Sequence, residues 1–297
     1  MIPFVREVTF EYGVVDRLTP LIRRVVAKNP GPFTYLGTGT YIIGNGDVAV
    51  IDPGPDMDDH LEAILAATAG ERITHIFVTH NHMDHSPLAR PLAARTGATI
   101  YACAKQGVAT ESEVRMEAGD DRTFVPDIGL CDGGTFPGAG WTMEAIPTPG
   151  HTSNHICYAL LEENALFCGD HIMGWSTTVI SPPDGDMGDY FASLERVKAR
   201  EFTTLWPTHG PPITEPGPFV QAYIDHRRDR EAQIVAALKA GFTQIKPMVA
   251  ELYKAVDVRL HPAAAHSVMA HMVQLVKEGR VLCDGAPGLD SAYRLAG

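Results

Sequence analysis

The sequence predicts an α/β fold, sheets with helices on their outer faces, followed by a small, mainly helical C-terminal unit. Three observations lead there. Short β-branched and aromatic runs alternate with segments of helical period over the first 218 residues. Asn45-Gly46, set between two apolar runs, marks a tight hairpin turn. After Pro218 the composition shifts: residues 219–297 carry ten basic and eight acidic residues, net +2 against −12 for the whole chain, which leaves −14 for residues 1–218.

Tyr41-Ile42-Ile43 and Val48-Ala49-Val50-Ile51 flank the turn as hairpin strands, with Phe33 to Leu36 leading in and Asp52-Pro53-Gly54 leading out. Asp58 to Ala69 sets Leu61, Ile64 and Leu65 on one face and is closed by Gly70, which predicts a helix. Ile73 to Thr79 reads as a buried strand that ends at His80. A helix over Ser86–Thr96 and strands at Thr99–Ala102 and Trp141–Ile146 follow, then a second hairpin from His155–Leu160 and Ala165–Cys168. Beyond Pro218 the pattern gives helices over Phe219–Ala240, Lys246–Ala255 and Pro262–Lys277, then a two-strand wing at Arg280–Cys283 and Ser291–Leu295. That is the order of a winged helix, so the expected domains are 1–218 and 219–297.

With 45% hydrophobic residues in 297, the chain has ample core material, which excludes intrinsic disorder. A net charge of −12 argues against a surface that grips nucleic acid by blanket phosphate neutralisation. No apolar run approaches the ~20 residues of a membrane span, and Met1 to Glu7 lacks the form of a secretory leader. Cys103, Cys131, Cys157, Cys168 and Cys283 are odd in number and form no Cys-X-X-Cys pair, which predicts reduced thiols. The expectation is a cytoplasmic enzyme.

The chemistry is carried by Thr79-His80-Asn81-His82-Met83-Asp84-His85-Ser86, where three imidazoles and a carboxylate fall within six residues at the end of a strand. Imidazole nitrogen and carboxylate oxygen are the ligands zinc and similar ions take in hydrolytic sites, and packing gives no reason for such density. Downstream, Pro149-Gly150-His151, Cys168-Gly169-Asp170 and Pro207-Thr208-His209-Gly210 each put a candidate ligand at a Gly- or Pro-marked turn after a strand.

With these motifs residues 30–215 resemble the metallo-β-lactamase fold superfamily. The resemblance implies an αββα sandwich, one metal on His80, His82 and His151, a second on Asp84, His85 and His209, and Asp170 bridging the two. Asp52 also matches a family motif and reads as a carboxylate that orients a ligand histidine, or else as a helix N-cap for the segment after it. True β-lactamases of the superfamily lack a carboxylate at the position of Asp170, so antibiotic hydrolysis is disfavoured. Gly210-Pro211-Pro212, Tyr223 through Glu231 and Lys277-Glu278-Gly279-Arg280-Val281 resemble the β-lactamase-like protein 2 subgroup, which joins the hydrolase domain to a winged helix and includes a single-strand-specific endoribonuclease. Gly39 departs from it, since relatives usually carry Asn there.

The implied protein is a dinuclear hydrolase that uses two divalent ions, zinc first and iron or manganese otherwise, with a water bridging the ions deprotonated as nucleophile and Asp84 orienting it and taking its proton. Thioesters, esters, lactones and phosphodiesters such as single-stranded RNA all suit such a centre. The reading from another class is a nucleic-acid-binding regulator that uses the winged helix. Residues Pro262 to Met272 offer none of the Arg, Lys, Asn or Gln of a reading helix, which favours a module packed on the hydrolase body or on a second subunit, with no sign of DNA binding and none of a membrane partner. His171, His226, Arg227 and Arg230 are candidate substrate contacts. The remaining His60, His75, His155, His261, His266 and His271 read as surface or satisfied core residues.

Overall fold

Two sheets stack face to face in the computed structural model, which describes residues 1–105, 119–130 and 133–297. The first sheet holds β1 (Asp16–Arg17), β2 (Ile22–Val26), β3 (Gly39–Ile43), β4 (Asp47–Ile51), β5 (Arg72–Phe77), β6 (Thr99–Ala102) and β7 (Ile128–Gly129), neighbours in that order. The second holds β8 (Gly134–Pro137), β9 (Thr142–Pro147), β10 (Ile156–Leu160), β11 (Ala165–Gly169) and β12 (Thr204–Pro207), again in chain order. Helices α1 (Asp58–Ala67) and α2 (Ala89–Thr96) cover the first sheet, and α3 (Met187–Lys198) and α4 (Pro216–Lys239) cover the second. Helices α5 (Ile245–Leu252) and α6 (His261–Lys277) with the hairpin β13 (Val281–Cys283) and β14 (Tyr293–Leu295) complete the chain.

Layering follows from the alternation of side chains along each strand. In the first sheet Tyr41, Ile43, Ile51 and Phe77 point inward, where they meet Met143, Tyr158, Leu160 and Phe167 of the second. The intervening Ile42, Val48, Val50 and Ile76 point outward against Leu61, Ile64 and Leu92 of α1 and α2. Trp141 fills the sandwich at 1% exposure, and its indole N–H donates to the Asp47 carbonyl at 3.0 Å. Each such side chain contributes roughly 1.5–3 kcal/mol by leaving water. The early part of α4 adds Phe219, Val220, Tyr223 and Ile224 to the core under the second sheet, whereas Ile234, Ala237 and Leu238 join α5 and α6 in a core of their own. Residues 218 and 219, where the composition shifts, fall in the first turn of this shared helix.

Several elements escape the sequence pattern. Strand β2 buries Arg23 and Arg24 at its centre, and they are tolerated because Arg23 pairs with Glu71 at 2.7 Å and donates to the Gly44 carbonyl, while Arg24 pairs with Asp16 at 3.2 Å. Helix α3 is capped by Asp186, whose carboxylate accepts from the Asp189 N–H at 2.9 Å. The helix expected from Ser86 starts at Ala89, because the Ser86 hydroxyl is drawn instead to the His82 carbonyl and to Asp121. Against the expectation of reduced thiols throughout, Cys103 is disulfide-bonded, while Cys157, Cys168 and Cys283 are free and Cys131 lies outside the described residues. Cysteine parity and local spacing carry no information on pairs that the fold brings together. No helix among the described residues is long and apolar enough to cross a membrane.

Candidate metal centre

Strands β4, β5, β9, β11 and β12 end at the same edge of the sandwich, and the loops leaving them carry Asp52, residues 79–85, His151, Asp170 and His209. Glycine permits this convergence at two points. Gly150 has φ +142°, and a Cβ there would stand 2.4 Å from the Tyr190 Cα. Gly169 has φ +51°, and its Cβ would meet the His155 ring at 2.6 Å and Thr79 at 2.9 Å.

The convergent side chains form two overlapping sets. Ligand atoms of His80, His82 and His151 lie within 4.8 Å of one another, as do those of Asp84, His85 and His209, and the set His80, His85 and Asp170 joins the two. All seven side chains are buried. Four of the five histidines are oriented by a hydrogen bond at the far nitrogen. His151 Nδ1 donates to the Val179 carbonyl at 2.8 Å, His209 Nδ1 to the Gly37 carbonyl at 3.1 Å and His85 Nδ1 to the Asp52 carboxylate at 2.9 Å. The Thr79 hydroxyl donates to Asp52, so at 3.0 Å from His80 Nδ1 it acts as an acceptor. His82 turns Nε2 toward Asp120 at 3.6 Å. Such outer partners fix tautomer and ring direction in metal-binding histidines.

Asp52 joins the loops. Its carboxylate accepts from the Thr79 N–H at 2.8 Å, the Thr79 hydroxyl at 2.9 Å, the Thr208 hydroxyl at 2.8 Å and His85. It takes no part in capping α1, whose N-cap is Met57. Gly39, the departure from the subgroup pattern, donates its N–H to the Thr208 carbonyl at 2.8 Å on the same side.

The near faces of these residues fit a cation. His80 Nε2 and His82 Nδ1 confront each other at 2.9 Å, and His85 Nε2, His209 Nε2 and Asp170 Oδ1 are buried without an aligned hydrogen-bond partner. Imidazole nitrogens and carboxylates are the donor set of zinc, iron and manganese sites. Electrostatics divide the cluster. Burial, then the neighbouring His85, His82 and His151, hold His80 well below the ordinary imidazole range, and burial and His151 hold His82 at about 3. On the other side burial is overcome: Asp84, Asp170 and Asp52 raise His85 well above that range, and Asp170 and Asp84 raise His209 to about 10. Burial pushes the Asp84 carboxyl up, but His85 and His209 outweigh it and hold the group at about 2.

A cation therefore competes with protons on His85 and His209 but not on His80 and His82. At neutral pH, below the raised values, zinc uptake should release up to two protons from these imidazoles, and affinity should rise with pH toward about 10. Zinc titration calorimetry in buffers of different ionisation enthalpy should give buffer-dependent heats; buffer-independent heats would contradict this.

Of the candidate substrate contacts, His171 and Arg227 are buried and His226 and Arg230 half-buried. His171 is fully buried behind the centre, its ring 6.0 Å from His155 and 5.0 Å from Tyr190. Arg227 is 3% exposed and donates to the Thr178 carbonyl with its guanidinium over the Tyr190 ring, so it braces α4 against the 176–181 loop. Arg230 lies over Tyr253, and His226 is half-buried beside it on α4. His226, Arg227 and Arg230 all stand on α4, and aromatic faces in the fold draw in the two guanidiniums. Asp120 and Asp121 were missed. They reach the cluster through a bridge between His82 and Asp120 and through the Ser86 hydrogen bond to Asp121, and an isolated Asp-Asp pair carries no signal in sequence.

This fold and site define a class, and the comparisons agree. The model of the metallo-beta-lactamase superfamily matches residues 35–209, and the chain belongs to that superfamily. A beta-lactamase-associated winged helix domain matches residues 245–288. Across most of its length the chain is similar to the beta-lactamase-like protein 2 homolog of Drosophila melanogaster, 32% identical over 90% of this chain and 91% of that one. It is also similar to an atrochrysone carboxyl ACP thioesterase of Aspergillus fumigatus, 33% identical over 76% of this chain and 67% of the relative. A beta-lactamase domain protein from Burkholderia ambifaria shares the fold, with TM-score 0.78 and 17% identity over 99% of this chain and 97% of that one. The chain is thus a hydrolase of this superfamily with a C-terminal winged helix.

Proposed function

We propose that the chain is a dinuclear, divalent-cation-dependent hydrolase of acyl compounds, with thioesters as the first substrate class. The observation that carries the reading is the pair of ligand sets joined through His85, His80 and Asp170. His80, His82 and His151 would hold one ion, Asp84, His85 and His209 the other, and Asp170 would lie between them; zinc is the first candidate and iron or manganese the alternatives. Bound there, the ions supply Lewis acidity and a nucleophile from water at neutral pH. The chain does the rest. Asp84, ionised and facing His209 at 3.2 Å, is placed to orient the attacking water and accept its proton. Asp52, the Val179 and Gly37 carbonyls and Thr79 keep the imidazoles turned inward.

Thioesters come first because a relative of similar sequence is named a thioesterase. Phosphodiester hydrolysis, single-stranded RNA included, is the second reading, and the winged-helix match supports it. The placement of α6 weighs against nucleic-acid reading. It buries Ala264, Ala265, His266, Val268, Met269 and Met272, and it meets the hydrolase body through His266 to Ser181 at 2.8 Å and through Lys277 to Asp186. Residues 219–297 are therefore proposed as a packing module beside the hydrolase body of residues 1–218.

The test is a substrate panel on zinc-loaded protein: an acyl thioester, a lactone and single-stranded RNA, with Asp84→Ala as control. Thioester turnover lost in Asp84→Ala is expected. Cleaved RNA with no acyl turnover would reverse the order of the two readings.

A further inference from the structure

The basic residues of α4 share their surroundings with a histidine from α6. His271 is fully buried, and neither ring nitrogen has a hydrogen-bond partner. It is thus not the satisfied core histidine that the sequence suggests. The Nε atoms of Arg227 and Arg230 are buried without partners as well. Unpaired donors of this kind are rare in folded proteins and call for an acceptor.

The rest of each guanidinium is held in place. Arg227 donates to the Thr178 carbonyl and to the Ser267 hydroxyl at 3.4 Å and lies 5.3 Å over Tyr190. Arg230 donates to Gln233 at 2.8 Å and lies 4.0 Å over Tyr253. Ser267 and His271 are a turn apart on α6, and Arg227 and Arg230 nearly a turn apart on α4, so the Arg227–Ser267 contact sets the α6 face that carries His271 against the α4 face that carries the two arginines. Among the described residues no carboxylate stands within ion-pair distance of these groups. The nearby acids are taken: Glu195 by Arg228 at 3.3 Å, Glu231 by Arg280 at 2.6 Å and Asp225 by Gln221 at 2.8 Å. Asp229 is the acid whose field reaches His226. The groups sense one another, since burial, then Arg227, Arg230 and His226, hold His271 at about 3.

We infer that His226, Arg227, Arg230 and His271 form a site for a small oxyanion of the phosphate class, lodged between α4 and α6. The half-buried His226 and Arg230 form its entrance, and Arg227 and His271 its floor. Aromatic faces hold the guanidiniums without neutralising them, which leaves their charge for a ligand. The site lies one loop from the metal centre: Thr178, which holds Arg227, also donates its hydroxyl to the Asp170 carbonyl at 2.8 Å, and the next residue, Val179, holds His151.

The probe is inorganic phosphate, added to zinc-loaded protein against chloride of equal ionic strength. In the unaltered chain the ¹⁵N resonances of the His271 imidazole should move with phosphate, a readout local to this site that phosphate bound at the metal centre would leave in place. Arg230→Gln should weaken the phosphate affinity read at His271 by about tenfold or more, the worth of a charge-assisted hydrogen bond, with zinc content unchanged. A parallel titration with phenyl phosphate separates the sources: response to both ions identifies the phosphate end of a larger molecule as an acceptable ligand, and response to phosphate alone identifies the free ion. A His271 resonance indifferent to both ions, or an affinity the same in Arg230→Gln as in the parent, would overturn the site.

Discussion

Asp170→Ala should abolish hydrolysis and cation binding together. Asp170 is 5% exposed, with its carboxylate 3.4 Å from His209 Nε2 and 3.6 Å from His85 Nε2, and it shares a ligand set with His80 as well. Among the described residues it is therefore the carboxylate that shares ligand sets or close contacts with both halves of the cluster. Its removal leaves, among the described residues, Asp84 alone facing the Nε2 atoms of both His85 and His209, and takes an anionic donor from each proposed ion. The backbone has reason to stay in place, because the Asp170 carbonyl still accepts from the Thr178 hydroxyl and β11 still pairs with β12. Activity should fall on the order of 10³-fold or more, the several kcal/mol that a metal centre supplies at 1.36 kcal/mol per tenfold. Elemental analysis on the same preparation should show fewer than two ions per chain. Full metal content with normal turnover would sink the assignment.

How much of this was legible in the sequence depends on how local each feature is. The His80 to His85 cluster occupies a single loop, so its density is visible before any fold is known. His151, Asp170 and His209 were legible one step less directly, as lone candidate ligands at Gly- or Pro-marked turns after apolar strands. Elements whose burial is local were legible as well: β3, β4, β6 and the hairpin of β10 and β11 stand where their apolar runs put them. Strand β2 was hidden because two of its five residues are arginines, acceptable inside only through Glu71, Asp16 and the Gly44 carbonyl, partners supplied by tertiary structure. Helix α3 carries a readable trace in its Asp186 cap and in the spacing of Met187, Tyr190, Leu194 and Val197, but it follows a Pro- and Gly-rich run and is not among the elements the sequence pattern predicts. The fates of Arg227 and Arg230 were out of reach, since a helical charge pattern cannot show which tyrosines wait opposite it.

Asp52→Asn should damage the centre without touching a proposed ligand, and the reason is a tautomer. The Asp52 oxygen that accepts from the Thr79 N–H must remain an oxygen, because an amide nitrogen there would face another N–H. The amide NH2 then takes the place of the oxygen that now receives the Thr79 hydroxyl, the Thr208 hydroxyl and His85 Nδ1. The hydroxyls can rotate and accept instead. The imidazole has one remedy: Nδ1 becomes the acceptor and the proton moves to Nε2, the nitrogen that faces Asp84 and Asp170 at 3.6 Å. A protonated Nε2 cannot ligate. Affinity for the cation held by Asp84, His85 and His209 should drop about 10–100-fold, the usual cost of losing an outer partner, while the site of His80, His82 and His151 keeps its ion better. Competition with a chelator of known zinc affinity should resolve one weakened and one retained site, with turnover following the weakened one. Two unchanged affinities in Asp52→Asn would mean that the carboxylate only ties the 79–85 and 208–209 loops together, and that the direction of His85 is set by packing.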